Sequence, residues 1–403
     1  MSFQTGLSGL NAASRNLDVI GNNIANANTI GMKSSRAEFA DLVASSLGMG
    51  SNGGAGIGVS LATTAQQFSQ GTINITGNNL DVAINGGGFF ELKMPDGSAA
   101  YTRDGEFKLD KLGNIVTNTN ANVMGYPTDI KGSPTSTTIQ ALQLPTSAPI
   151  AANQTTAITA EFNLDARATI VTPVVSPIAT TYGTSITAYD SQGVTTPVSL
   201  YFSKVTPTTA GTDEWAVYQD PAGASVGSMV FDASGKLTSS TVGTLTLTPA
   251  APSIVPAFPV TLDVSKVTQY GASFAVTNVT QDGYAPGEFV SLKIGKNGII
   301  TASYSNGQTQ SAGQVALADF RNVQGLSPTG SGNWIETYAS GQPVQGSPGV
   351  GKFGELTSGA LEESNVDLTA ELVNMMTAQR AYQANAQTIK TQDQVMTTLV
   401  NLR

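Results

Sequence analysis

Apolar residues recur at alternating steps of four and three in two stretches, one at each end of the chain. The C-terminal series runs Leu368, Leu372, Met375, Gln379, Tyr382, Ala386, Ile389, Asp393, Met396 and Val400. The N-terminal series runs Phe3, Leu7, Leu10, Ser14, Leu17, Gly21 and Ile24. A sustained 3.5-residue period predicts helices that pack lengthwise on other helices. Neither Gly nor Pro follows Gly359, so nothing interrupts the second helix, which at ~1.5 Å per residue extends roughly 55 Å. Ser364, Asn365 and Asp367 are its candidate N-caps, and Glu371 suits the first turn. Gly21 predicts a weak point in the first helix. An apolar stripe is usually the core side of a helix in its own domain. Here the stripe is narrow, and the opposite face carries Gln383, Gln387, Gln392 and Gln394 rather than charge pairs. Each helix is therefore expected to seek partners, first the other end of the same chain and then identical neighbours. The candidate subunit-interface residues are Leu7, Leu10, Leu17, Ile24, Leu368, Leu372, Met375, Tyr382, Ile389, Met396 and Val400.

Between the ends the pattern changes twice. Arg36–Leu47 reads as a short helix, Gly48–Gly58 as a glycine-rich loop, and Val59–Phe68 as a strand or hairpin arm. From Gly71 the period becomes two, with short apolar runs separated by Asp96-Gly97, Asp104-Gly105 and Leu112-Gly113. Asp-Gly between such runs is a hairpin signal, because Gly accepts the positive φ of a tight turn. Residues 145–283 turn rich in Thr, Ala, Ser and Pro, with dispersed strands. After Tyr284 the hairpin style returns, with turns at Asn297-Gly298 and Asn306-Gly307. The expected architecture is multidomain, α plus all-β. Residues 1–30 and 364–403 pair as a coiled-coil-like terminal helical domain, and 31–70 form a linker with a short helix and a hairpin. Residues 71–144 and 284–363 make a discontinuous β domain, into which 145–283 is inserted as a second β domain.

Composition narrows the partners. Of the 403 residues only 12% are charged, about half of the ~25% usual in soluble domains. A low-charge polar surface suits a protein that meets copies of itself; an ordinary secreted β-rich protein is the plainer alternative. The net charge is −9 and no Lys/Arg stripe exists, which argues against nucleic acid and an anionic membrane surface as partners. No run approaches the ~18 apolar residues of a membrane span, so no membrane insertion is expected. The first residues lack the basic and apolar regions of a secretory signal peptide. The expectation is a cytosolic chain, or one exported without a cleaved signal.

Catalytic chemistry finds little to stand on. The chain has no Cys and no His, so disulfides, thiolate metal sites and the commonest general base are all excluded. Gly48–Gly53 spells the G-x-G-x-x-G pattern, but a helical run precedes it where dinucleotide binding needs a strand. Asp213 with Glu214, and Glu362 with Glu363, are adjacent carboxylates that would point to opposite faces of a strand; they read as ordinary surface acids. Asp81, Asp96, Asp104 and Asp110 are spaced for turns and strand ends. No catalytic residue, cofactor or metal is expected.

Three long, collinear segments carry a resemblance. GLNAASRNLDVIGNNIANANTIGMKSS at Gly9–Ser35 resembles the N-terminal signature of bacterial flagellar rod and hook proteins. NNLDVAINGGGFFEL at Asn78–Leu92, followed by YTRDGEFKLDKLGNIV at Tyr101–Val116, resembles their shared β motif, and Gly359–Arg403 resembles their C-terminal signature. The chain is thus similar to the flagellar axial family, and its length and insertion favour the hook branch over a distal rod subunit, the runner-up reading. A secreted β-rich enzyme is the remote alternative. The resemblance implies a tubular helical homopolymer in the extracellular flagellum, with terminal helices lining the tube and β domains outside. It implies a bendable joint that carries torque from rod to filament and serves as an export channel. Implied partners are the chain itself, the distal rod, a hook cap, hook–filament junction proteins and the flagellar type III export apparatus.

Overall fold

The computed structural model describes residues 2–42, 58–144, 149–171, 180–220, 222–249 and 254–401. The Gly48–Gly53 pattern and most of the predicted Gly48–Gly58 loop lie outside them. The chain divides into two compact units. One comprises Met1–Ser147, Ser291–Ser303 and Thr309–Arg403; the other comprises Ala148–Val290 and Tyr304–Gln308.

The first unit holds both helices, α1 (Ser2–Ala25) and α2 (Leu368–Asn401). α1 runs through Gly21 without ending there, since a single Gly costs only about 1 kcal/mol against Ala. One element departs from expectation: the predicted helix Arg36–Leu47 is a strand over its described part. Strand β1 (Ser35–Leu42) pairs antiparallel with β2 (Gly58–Gln66), from Ser35 opposite Gln66 to Leu42 opposite Gly58, with one bulge at Glu38/Phe39. Ala, Glu and Leu favour a helix locally, but a ladder along the whole strand outweighs a propensity of a few tenths of a kcal/mol per residue.

The β body of this unit joins segments from the two halves of the sequence. Ile73–Ile75 pairs with Ala360–Glu362, Val82–Asn85 with Glu355–Ser358, and Asn122–Tyr126 with Thr309–Val315. Phe89, Tyr101, Phe320, Leu326 and Trp334 are buried together, with Phe68 packed against them. The rings of Phe89 and Trp334 lie 5.7 Å apart in a T-shaped contact, and Trp334 Nε1 donates to Gln66 Oε1 at 2.6 Å. The Trp334 ring thereby ties the end of β2 to the β body.

Among the described residues the second unit contains two five-stranded sheets. Tyr182–Tyr189, Thr195–Val205, Asp213–Tyr218, Ser225–Phe231 and Leu237–Ser240 form a meander. In the other sheet Ala157–Asp165 is central and pairs with Phe258–Asp263, Thr268–Tyr270 and Ala275–Gln281. Alternate residues Ile158, Ala160, Phe162 and Leu164 are buried, the period of a half-buried strand. They share one core with Phe202, Trp215, Phe231 and Val260 from both sheets, as in two sheets packed face to face.

Candidate assembly interface: the helix pair and its root

α2 is capped by Asp367, whose Oδ1 accepts the backbone amides of Thr369 (2.9 Å) and Ala370 (3.1 Å). Asn365 is committed elsewhere: its Oδ1 accepts Ser34 N at 2.7 Å and its Nδ2 donates to Gln67 O at 2.7 Å. Three contacts fix the direction of the helix pair. Gly6 lies against Ile389, Gly9 against Asn385, and Asn23 Nδ2 donates to Glu371 Oε1 at 3.2 Å. The start of α1 therefore meets the second half of α2, and the helices are antiparallel.

The seam between them uses small residues. Gly6, Ala13 and Ile20 are buried on α1, and Ala378 on α2, with Glu371, Met375, Asn385, Ile389 and Gln392 half-buried. On α1 the row Gly6, Ala13, Ile20 takes the place of the predicted row Leu7, Ser14, Gly21. On α2 the row Glu371, Ala378, Asn385 and Gln392 replaces Leu372, Gln379, Ala386 and Asp393. Met375 and Ile389 on α2, and Leu10, Leu17 and Ile24 on α1, stay half-buried, so each helix is turned by about half a position, roughly 50°. A β-carbon built on Gly9 would stand 2.8 Å from Asn385 Oδ1, so a larger residue there must displace the Asn385 side chain.

Several large apolar side chains remain outside the pair. Leu7 is 44% exposed, Leu368 and Leu372 are each 47% exposed, Tyr382 38% and Met396 61%. Phe3, Val373, Met376 and Val395 are exposed beside them. Leu10, Leu17 and Ile24 are half-buried. Val400 lies in the last turns of α2, and its side chain is outside the described ones.

Where the two helices meet the β body, three charges are buried. Glu362 Oε1 accepts Lys33 Nζ (2.6 Å) and Gly71 N (2.9 Å), its Oε2 accepts Arg103 Nη1 (3.0 Å), and its backbone oxygen accepts Gly31 N (2.8 Å). Lys33 also donates to Ser69 O (2.8 Å), and Arg103 to Gly86 O (2.9 Å) while its guanidinium stands over the Phe89 ring at 5.3 Å. Burial holds both Lys33 and Arg103 below their ordinary values, opposed by Glu362. Glu362 is thus no surface acid. The strand pairing of Ala360–Glu362 with Ile73–Ile75 carries it inward, while Glu363 is exposed. Its signal in the sequence was an acid on a short strand within reach of no local base, and the bases it meets come from residues 33 and 103.

The other acids behave as turn and edge residues. Asp213 Oδ2 faces Lys204 Nζ at 3.1 Å, while Glu214 Oε2 accepts Thr208 N at 2.9 Å. They do not face each other as an acid–base pair. Asp96 and Asp110 accept amides of their own turns. Asp81 accepts Thr76 Oγ1 and Asn78 Nδ2. Burial pushes the Asp104 carboxyl up to about 6, the neighbouring Glu106 and Asp81 adding to it. Among the described residues no cluster of three or more acids could hold a metal, and no described helix is long and apolar enough to cross a membrane.

Family models match most of the chain in order. Residues 3–33 match the flagella basal body rod protein model, and 83–161 the flagellar hook protein FlgE/F/G D1 domain. Residues 163–284 match the flagellar basal body protein FlaE D2 domain, and 357–402 the flagellar basal body rod FlgEFG protein C-terminal model. The chain is 43% identical to the flagellar hook protein FlgE of Escherichia coli (strain K12), with all of both chains covered. It is 33% identical to that of Treponema pallidum (strain Nichols), covering all of this chain and 99% of the relative. The crystal structure of Helicobacter pylori flagellar hook protein FlgE2 has a similar fold, with a TM-score of 0.54 at 15% identity over 72% of this chain and all of that one. The full-length relatives carry the hook name, which sets the rod alternative aside. The chain belongs to the flagellar hook protein family.

Proposed function

We propose that this chain is the structural subunit of the flagellar hook, a tubular helical homopolymer that bends while carrying torque from rod to filament and encloses an export channel. The observation that carries this reading is the set of large apolar side chains on α2, between Leu368 and Met396, that the helix pair leaves exposed. Exposed apolar patches of this kind mark interaction surfaces. Apolar surface along a helix that its own partner does not cover suits identical helices packed around an axis, where a head-to-tail contact propagates into a helical assembly.

The seam of Gly6, Gly9 and Ala13 keeps each helix pair narrow, so that each copy acts as one tile of the inner wall. The β units face outward in this arrangement. Their polar, Thr- and Ser-rich surfaces favour weak contacts that slide, and sliding permits a bent tube. The partners in this reading are further copies, the distal rod, the hook cap, the hook–filament junction proteins and the type III export apparatus, with export preceding assembly outside the cell.

Sedimentation of concentrated full-length chain tests the reading. The unmodified chain pellets as polymer, and Leu372→Asp or Met396→Asp remains in the supernatant with its β units folded. Equal pelleting of the Asp variants would contradict the assignment of this face.

A further inference from the structure

Lys33, Arg103 and Glu362 sit away from the exposed helix face, yet they join the two ends of the chain to the β body. Lys33 and Glu362 have no solvent exposure, and Arg103 is 6% exposed. Two cations share one carboxylate, so the buried group carries one excess positive charge. Asp319 also acts on Arg103. The partners of Lys33 Nζ are Glu362 and the neutral Ser69 carbonyl. Removing one member of a buried ion pair strands its partner in a low-dielectric site, which is far more damaging than replacing the whole group by apolar side chains. Without Glu362 in place, seating Lys33 would bury two like charges side by side.

The chain positions make this asymmetric. Glu362 lies 329 residues after Lys33, and Asn365, which binds Ser34 N, follows three residues later. The carboxylate that neutralises Lys33 and the side chain that binds Ser34 N come from the far end of the sequence, while the near-end contacts, Lys33 Nζ to Ser69 O and Gln67 N to Ser34 O, are to uncharged backbone groups. We propose that Glu362 is a charge-coupled tie that makes docking of residues 31–34 onto the β body conditional on docking of the strand Ala360–Glu362. Both arms then seat in one step, and the root of α1 stays unseated until the C-terminal strand is supplied. The tie concerns how one chain completes itself, and it holds whether or not the helix face assembles as proposed above.

Hydrogen exchange on the full-length chain tests the tie, comparing Glu362→Gln, Lys33→Met and the double variant. In Glu362→Gln the amides of residues 29–36 and 69–71 exchange faster, on the order of a hundredfold or more, while Phe89–Lys93 and Asn122–Tyr126 keep their protection. The double variant recovers most of the lost protection, because Arg103 again supplies the single excess charge of the native group. A purely steric role for Glu362 would instead make the two losses add. Unchanged exchange in Glu362→Gln, or additive losses in the double variant, overturns the proposal. Should Glu362→Gln fail to fold, the double variant decides alone: folding with residues 29–36 protected supports the tie, and failure to fold counts against it.

Discussion

Gly6 of α1 lies directly against Ile389 of α2, and a β-carbon built on Gly6 would stand 3.3 Å from Ile389 Cγ1. This contact, with Gly9 against Asn385 one turn further on, sets the phase of the helix pair. It turns Gly6 and Ala13 inward and Leu7 outward, and so decides which side chains remain for other molecules.

Enlarging this seam should separate the helices. Gly9→Leu must displace the Asn385 side chain and should cost roughly 1–3 kcal/mol by overpacking. Spin labels at the exposed positions Gln4 and Thr391 should report a longer, broader distance in Gly9→Leu than in the unmodified chain. An unchanged distance would show that the close approach does not depend on that glycine. Gly6→Ala should be mild, since a gain of roughly 1 kcal/mol in helix propensity offsets a tight contact.

Two Asp substitutions on α2 should separate pairing within a chain from contact between chains. Ile389→Asp places a charge in the seam beside Gly6 and should weaken both. Met396→Asp, on an exposed position, should leave the spin-label distance unchanged and still abolish polymer. If Met396→Asp loosened the pair as much as Ile389→Asp, the two roles would not be separable by position along α2.

Asp104 gives a pH dependence of definite sign. Its folded value of about 6 lies above the ordinary 3.8, so the fold disfavours the charged form. The stabilisation is fully present below about pH 4 and is lost as pH rises through about 6, a difference of at most ~3 kcal/mol. Asp104→Asn retains an oxygen for Glu106 N, now 3.0 Å from Asp104 Oδ1. The variant should melt higher than the unmodified chain at pH 7.5 and equally at pH 4. A lower melting temperature at pH 7.5 would contradict this account.

The chain has two tryptophans, Trp215 and Trp334, one in each compact unit. Trp334→Phe leaves emission reporting the second unit, and Trp215→Phe leaves it reporting the first. The second unit has its own core, so the two reporters should give different denaturant midpoints. Asp104→Asn should move only the Trp334 transition. Coincident transitions that shift together would show a single cooperative unit.

The terminal helices were legible in the sequence because a 3.5-residue period survives any choice of partner. The phase of their seam was not. Size alone favours Leu7 and Leu372 as buried positions, whereas close packing of two backbones rewards Gly6, Gly9 and Ala13, and that gain exists only once both helices are present. Arg36–Leu47 reads as a helix for a related reason: the ladder partner of the strand Ser35–Leu42 begins at Gly58, beyond any local window. Glu362 looked like a surface acid beside Glu363, since its bases stand at residues 33 and 103. In each instance the deciding interaction spans a distance in sequence that periodicity does not register.

In the proposed function the exposed α2 surface carrying Leu372, Tyr382 and Met396 joins copies into a tube with the helices innermost. Electron cryomicroscopy of polymer grown from concentrated full-length chain tests it most directly. The account predicts a hollow tube whose inner wall is helical density, with Leu372 and Met396 buried against neighbouring copies and the β units outside. A tube whose inner wall is built from the β units, or one in which Leu372 and Met396 remain in contact with solvent, would contradict it.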